Sequence, residues 1–342
     1  MKIIVDCMSG DNAPREIVKG AANGAAEHGV EVLLVGDEHI IRKILREEKL
    51  PEERVSIYHT PDAPVTMDDE PGCVMKEKKD ASMPTALRLL AEGKGDAVVS
   101  AGNTGALFTG ATLIVRRIKG MRRAALGAII PLGKPMLLVD AGANTDVLPE
   151  HLLDFARMGD LFMRKVMNVK EPKVGLINNG AEEKKGTELY REAHALLKGS
   201  DLNFIGNIEG RDVPEGAADV IVCDGFTGNI VLKLCEGFGL FIKKTLKDIF
   251  FRNARTKVGA VLVKDSIDSL KKKMDYSEHG GAPFLGIAKP VIKAHGSSNE
   301  KSIRRCILQA KNYAESGIID EFAVLCAPTP KPDGEKSEKA DA

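Results

Sequence analysis

Hydrophobic and polar positions follow two alternating periods along this 342-residue chain. Ile3 to Val5, Glu31 to Val35 and Val55 to Tyr58 are short runs rich in β-branched residues and predict strands. Between them, helical spacing of apolar residues runs from the Pro14 turn to about Glu27 and from about Asp37 to Glu48. Strand, helix, strand, helix, strand predicts an α/β fold with a mostly parallel sheet and helices on both faces. Further strands are predicted at Ala125 to Pro131, Met136 to Asp140, Val174 to Ile177, Phe204 to Gly206 and Val220 to Val222. A flap or short helix is expected between Pro61 and Pro84, and a helical excursion over about residues 236–275. Past Ala327 the chain is Pro, Lys, Glu and Asp with almost no apolar content, which predicts a disordered tail over 328–342. The rest, residues 1–327, reads as one large α/β domain.

The stretch D-V-I-V-C-D-G-F-T-G-N-I-V-L-K, Asp219 to Lys233, combines a buried-type strand with turn and cap chemistry at Gly225, Thr227, Gly228 and Asn229. The first N–H groups of a helix lack internal partners and sit at the positive end of its dipole, so such a turn favours an anion. An earlier stretch, D-A-V-V-S-A-G-N-T-G-A-L from Asp96 to Leu107, carries Asp, Gly, Thr and Gly at identical offsets and adds Ser100, Asn103 and Thr104. Two copies predict a shared ligand site. The plain alternative for Asn103, Thr104, Thr227 and Asn229 is turn and cap chemistry, worth about 1 kcal/mol each.

Composition narrows the classes of function. Forty-nine basic and 49 acidic side chains cancel, and no basic stripe with interleaved aromatics marks a nucleic-acid partner. Six scattered cysteines without a C-x-x-C pair predict reduced thiols and a cytoplasmic protein. The chain starts on a strand, so no signal peptide is expected, and no uninterrupted apolar run reaches the roughly 20 residues that span a bilayer. Walker-type, G-x-G-x-x-G, H-E-x-x-H and G-x-S-x-G motifs are missing, and no metal-ligand spacing stands out, so neither a cofactor nor a metal is expected.

Two surface features admit two readings each. The cluster Arg116, Arg117, Lys119, Arg122 and Arg123 reads as a solvated helix end or as a dock for an acidic protein. From about Glu236 to Arg252, Phe238, Phe241, Ile242, Leu246 and Ile249 recur at helical spacing, and Phe250 and Phe251 extend the apolar surface. Lys243, Lys244 and Lys247 lie on other faces. This pattern predicts a helix that meets a membrane or a second copy of the chain, or else a core helix with a basic outer face.

Phosphate-type cradles rimmed by Asn, Thr, Ser, Lys and His suffice for one reaction, acyl transfer to inorganic phosphate. Phosphate attacks a thioester carbonyl itself and a thiolate leaves readily, so the protein must orient the anion and stabilise the tetrahedral oxyanion. Lys184, in a Gly-bounded loop with Gly180, and His295, before a helix start, are candidates to meet phosphate or to protonate the departing sulfur. Asp6, Asp11 and Asn12 shape the first strand end.

The motifs D-C-M-S-G-D-N-A-P, S-A-G-N-T-G-A, C-D-G-F-T-G-N-I-V-L-K, G-G-A-P-F-L-G and H-G-S-S occur in that order. Together, across about residues 1–327, they resemble the bacterial phosphate acyltransferase (PlsX) family of phospholipid synthesis. The resemblance implies an α/β/α sandwich related to the isocitrate and isopropylmalate dehydrogenases. It also implies a homodimer that passes an acyl group from acyl carrier protein to phosphate, for glycerol-3-phosphate acylation by a membrane acyltransferase. Peripheral contact with the inner face of the cell membrane follows from that role. Two departures are visible: Cys7 and Ser9 replace the family's more usual Ala and Gly, and the loop Asn178 to Glu188 reads N-N-G-A-E-E-K-K-G-T-E rather than N-I-G-T-E-E-x-K-G-x-E. Two enzyme or binding alternatives stay open at this point: a phosphotransacetylase acting on coenzyme A thioesters, and a non-catalytic scaffold for carrier protein or membrane.

Overall fold

In a computed structural model, which describes residues 1–132, 134–273 and 280–325, the chain begins with β1 (Lys2–Asp6). Ile3, Ile4 and Val5 on that strand are fully buried, as a run apolar on both faces requires of an interior strand. Truncating either isoleucine to alanine costs about 2–5 kcal/mol, a large part of a typical folding free energy. α1 (Arg15–His28), β2 (Glu31–Gly36), α2 (Glu38–Glu47) and β3 (Val55–His59) follow as the periodicity predicts. The Pro61 to Pro84 stretch contains a 3₁₀ turn (Pro71–Met75), and α3 (Ser82–Ala91) starts inside it. That helix escaped the periodicity because Pro84, which fits a first helical turn, reads as a breaker.

β4 (Ala97–Ser100) leads into α4 (Thr104–Gly110), which widens into a π turn over Ala111–Val115. Then come β5 (Ala125–Leu132), β6 (Lys134–Val139), α5 (Pro149–Lys165), β7 (Val174–Asn178), α6 (Glu188–Lys198), β8 (Phe204–Glu209) and β9 (Val220–Val222). α7 (Gly225–Phe250) is a 26-residue helix, followed by α8 (Ala254–Leu262) and α9 (Lys264–Lys273). The described chain closes with β10 (Ala282–Leu285), β11 (Val291–Lys293), α10 (Glu300–Glu315) and α11 (Ile318–Leu325). The expected disordered tail over 328–342 lies outside the described residues.

All eleven strands among the described residues join one sheet, in the order β3-β2-β1-β4-β11-β10-β5-β6-β9-β7-β8. Apolar clusters cover both of its faces, giving an α/β/α sandwich. On one face Gly20 of α1 lets α10 approach so closely that an added Cβ would sit 2.5 Å from the Ile303 Cβ.

Most neighbours are parallel, but β11–β10, β10–β5 and β5–β6 are antiparallel. Three reversals leave β6, β9, β7 and β8 running opposite to β1, β4 and β11. The turns that follow β4 and β9, which carry the two sequence repeats, therefore point in opposite directions along the strands, yet residues just beyond both, Thr104 and Asn229, border one cleft.

Candidate active site

A cleft of about 990 Å³ lies between α7, β5 and the loops that follow β1, β4 and β11. One part of its wall is polar, with Asp11, Thr104, Lys233, Lys293, His295 and Asn299. Another part is apolar, with Leu126, Ala128, Ile130 and Leu132 from β5 and Leu240 and Leu246 from α7. Alternation along β5 puts those four β5 residues on one face of the sheet.

Beneath the polar part, Asp6, Ser100 and Lys293 are side by side in register at the ends of β1, β4 and β11. Asp6 is fully buried, accepting hydrogen bonds from Ser82 Oγ and Ser100 Oγ at 2.6 Å each. Lys293 is buried too, and its ammonium donates to the carbonyls of Ala294 at 2.6 Å and Ala101 at 3.2 Å. Burial pulls its pKa down to about 8, against the opposing pull of the Asp6 and Asp11 carboxylates.

Loops on either side of this row are tied to each other. Asn12 Nδ2 donates to the carbonyls of Ser297 at 3.0 Å and Ser298 at 3.3 Å, and the Asp11 N–H reaches the Gly296 carbonyl at 2.8 Å. His295 Nδ1 accepts the Ser297 N–H at 3.2 Å and lies 2.8 Å from Ser297 Oγ. A neutral ring with that bond carries its proton on Nε2. Partial burial lowers the His295 pKa, Glu236 pulls it back up, and the ammoniums of Lys233 and Lys293 push it lower.

The second repeat builds a different object. Asp224 caps α7 by accepting the Thr227 N–H at 2.9 Å and Thr227 Oγ1 at 2.7 Å, and the Tyr190 hydroxyl donates to it at 2.5 Å. Gly225 and Gly228 press the helix start against the loop after β6: an added Cβ would lie 2.7 Å from the Asn144 carbonyl oxygen at Gly225 and 1.9 Å from the Asp140 carbonyl oxygen at Gly228. Asp140 itself receives the N–H groups of Leu126, Gly142, Ala143 and Asn144 and the Asn144 amide. Of this repeat's candidates only Asn229, one turn into α7, reaches the cleft.

The cleft thus brings together Asp11, Thr104, Asn229 and His295 among the residues singled out by sequence. Several others are engaged elsewhere. Asn103 caps α4 through the Ala106 N–H at 3.0 Å, and its amide holds the carbonyls of Met67 at 3.0 Å and Asp69 at 3.1 Å, so it anchors a loop. Thr227 and Gly225 serve the α7 cap, and Asp6 and Ser100 satisfy each other below the cleft surface. Lys184 is exposed and Gly180 buried in the loop after β7, and neither lines the cleft. Both repeats thus reach one cleft: the first supplies Thr104, and the second supplies Asn229 from inside its helix.

A profile described as "Fatty acid synthesis protein" matches residues 1–321. A "Phosphate acyltransferase" of Thermoanaerobacterium thermosaccharolyticum is 47% identical over 323 residues, covering 94% of this chain and 96% of that protein. One of Alkaliphilus oremlandii is 44% identical over 324 residues, covering 94% and 96%. The chain belongs to the phosphate acyltransferase family. Members of this family are acyltransferases. Among solved structures, a phosphotransacetylase from Streptococcus pyogenes aligns with a TM-score of 0.63 at 17% identity, covering 92% of this chain and 94% of that one. A 4-hydroxythreonine-4-phosphate dehydrogenase from Klebsiella pneumoniae aligns at 0.53 and 16% identity, covering 92% and 99%. Both agree with the dehydrogenase-like sandwich.

Sequence reading passed over two lysines in this family member's cleft. Lys293 has a signal in retrospect: it is a charge inside V-I-K-A, a run otherwise suited to burial, and a buried charge needs partners. Lys233 sits on α7 with Glu236 Oε2 at 2.8 Å. Beyond the cleft, α7 is no core helix. Phe238, Phe241 and Phe251 are 56%, 62% and 63% exposed, Phe250 is half-buried, and Val261 and Leu262 of α8 are also exposed. By length and composition alone α7 is sufficient to cross a membrane, although Lys233, Glu236 and Lys243 interrupt its apolar run. Arg116, Arg117 and Arg122 are exposed, and Arg122 pairs with Asp154 at 3.2 Å.

Proposed function

We propose that this acyltransferase moves a fatty acyl group from acyl carrier protein to inorganic phosphate, and that the acyl phosphate serves glycerol-3-phosphate acylation in phospholipid synthesis. The observation that carries this reading is the continuity of one cleft from a cationic part to an apolar part. Phosphate binds beside Lys293 and Lys233, at the rim formed by Thr104 of α4 and Asn299 of α10. A phosphate oxygen attacks the thioester carbonyl carbon, the oxyanion forms, and the C–S bond breaks. The departing thiolate takes the proton that the attacking hydrogen phosphate carried, held meanwhile by a hydrogen bond from the Nε2–H of neutral His295, and Asn229 orients the thioester.

Carrier protein docks on Arg116, Arg117 and Arg122. The exposed apolar face of α7 and α8, edged by Lys243, Lys244 and Lys247, lies against the inner face of the cell membrane or a second copy in a homodimer. A cytoplasmic protein with peripheral membrane contact fits both uses.

Trapping acyl phosphate as hydroxamate tests the reaction. Long-chain acyl carrier protein plus phosphate is expected to yield product in proportion to enzyme. Consumption of acetyl-coenzyme A with no turnover of long-chain acyl carrier protein would overturn the proposal in favour of a phosphotransacetylase.

A further inference from the structure

Gly237 and Gly239 stand in the interior of α7, where glycine weakens a helix. Elsewhere in this helix glycine has a packing reason, since a Cβ at Gly225 or Gly228 would collide with backbone. At Gly237 and Gly239 an added Cβ meets nothing within 4 Å. Gly237 is exposed and does not line the cleft, whereas Gly239 does. It sits one helical turn beyond Glu236 and ahead of Leu246, which also lines the cleft. From Glu236 to Leu246 the helix advances about 15 Å at 1.5 Å per residue, room for a chain of roughly ten or more methylenes. Along that path Leu132 of β5 and Leu240 and Leu246 of α7 make the wall apolar, and the path opens directly from the part that holds Lys233, Lys293 and His295.

We infer that the gap between α7 and β5 houses the acyl chain, and that Gly239, by having no side chain, keeps it open to long chains. The inference rests on the acyl-transfer reading above and adds the residue that sets chain length. A leucine at 239 projects into open space, so the helix keeps its packing and gains propensity while the gap narrows near its mouth.

The test compares wild type, Gly239→Ala, Gly239→Leu and the outward-facing control Gly237→Leu, with palmitoyl and butyryl thioesters of one carrier. Gly239→Leu should lower kcat/KM for palmitoyl at least about tenfold while changing butyryl less than about twofold, with Gly239→Ala between it and wild type. Gly237→Leu should keep the wild-type ratio. A palmitoyl-to-butyryl ratio unchanged in Gly239→Leu, or shifted equally in Gly237→Leu, overturns the inference. A second readout does not depend on turnover. Cys235 lines the same cleft and is half-buried, while Cys7, Cys73, Cys223 and Cys306 are buried. In a Cys326→Ser background, palmitoyl thioester should slow maleimide labelling of Cys235 in wild type and fail to do so in Gly239→Leu. Equal protection in both would overturn the channel even in an enzyme that turned over normally. Protection without any acyl phosphate would sustain the channel and remove the proposed reaction instead.

Discussion

Lys293 stands directly across the β4–β11 ladder from Ser100, and Ser100 donates to Asp6 at 2.6 Å. An ammonium, a hydroxyl and a carboxylate thus occupy neighbouring positions at the ends of three adjacent parallel strands, all buried. Parallel strands in register place such groups at one level, where a cleft can use the cation while the carboxylate is already satisfied by hydroxyls.

The first prediction concerns that lysine. Its folded-state pKa of about 8 lies below the usual 10.5, so between those values the unfolded chain binds the extra proton and stability rises with pH. Lys293→Met removes the buried charge. The variant should be more stable than wild type at pH 7, by no more than about 3 kcal/mol, and the difference should shrink as pH climbs from 8 towards 10.5. Urea unfolding at several pH values measures it; a pH-independent difference would contradict the account. The same variant should lose phosphate-dependent activity, and wild-type kcat/KM for phosphate should fall as pH rises through about 8 and the cation is lost.

Thr104→Val and Asn229→Ala should reduce activity far more than thermal stability, because both residues face the cleft. Asn103→Ala, which removes the α4 cap, and Thr227→Ala, which removes the Oγ1 hydrogen bond to the Asp224 cap, should do the reverse, lowering stability by about 1 kcal/mol. Melting curves run beside hydroxamate assays separate the two pairs; parallel losses in all four variants would dissolve the distinction.

Gly228→Ala would drive a methyl group to 1.9 Å from the Asp140 carbonyl oxygen. Backbone must move to accommodate it, at a cost of roughly 3 kcal/mol or more. Soluble yield and urea midpoint should both drop sharply, whereas Gly237→Ala, with nothing near its Cβ, should raise the midpoint slightly.

Charge reversal at Arg116, Arg117 and Arg122 should raise the KM for acyl carrier protein and leave the KM for phosphate in place. Wild-type KM for the carrier should climb with salt as attraction is screened, and the reversed variant should respond less or in the opposite sense. Identical salt curves would dismiss the dock.

Phe250→Ser with Phe251→Ser should abolish flotation with anionic vesicles while phosphorolysis of soluble acyl carrier protein continues. Phe251 is 63% exposed and Phe250 half-buried, so folding should survive the change. Unchanged flotation would exclude these rings as the membrane contact, and a shift in sedimentation without loss of flotation would assign them to the homodimer.

The sequence by itself determined most elements, because strand and helix periodicity depend on neighbours a few residues apart. Ile3 to Val5, the repeat at Asp96 and the α7 start after Val222 all stand where local pattern puts them. It also determined the family, through motifs that are contiguous in the chain. Tertiary structure alone decided which motif residues meet. β9 runs opposite to β4 because three antiparallel pairings, β11–β10, β10–β5 and β5–β6, lie between them, and β10 comes from late in the chain, so no local signal near Asp219 records that direction. Lys293 becomes a buried cation only once β11 sits between β4 and β10, and the Asp224 cap gains the Tyr190 hydroxyl only once α6 packs against it. Burial and opposing charges belong to the assembled sheet, whose contacts join residues far apart in sequence, and for that reason the row Asp6, Ser100 and Lys293 has no counterpart in any single stretch of the chain.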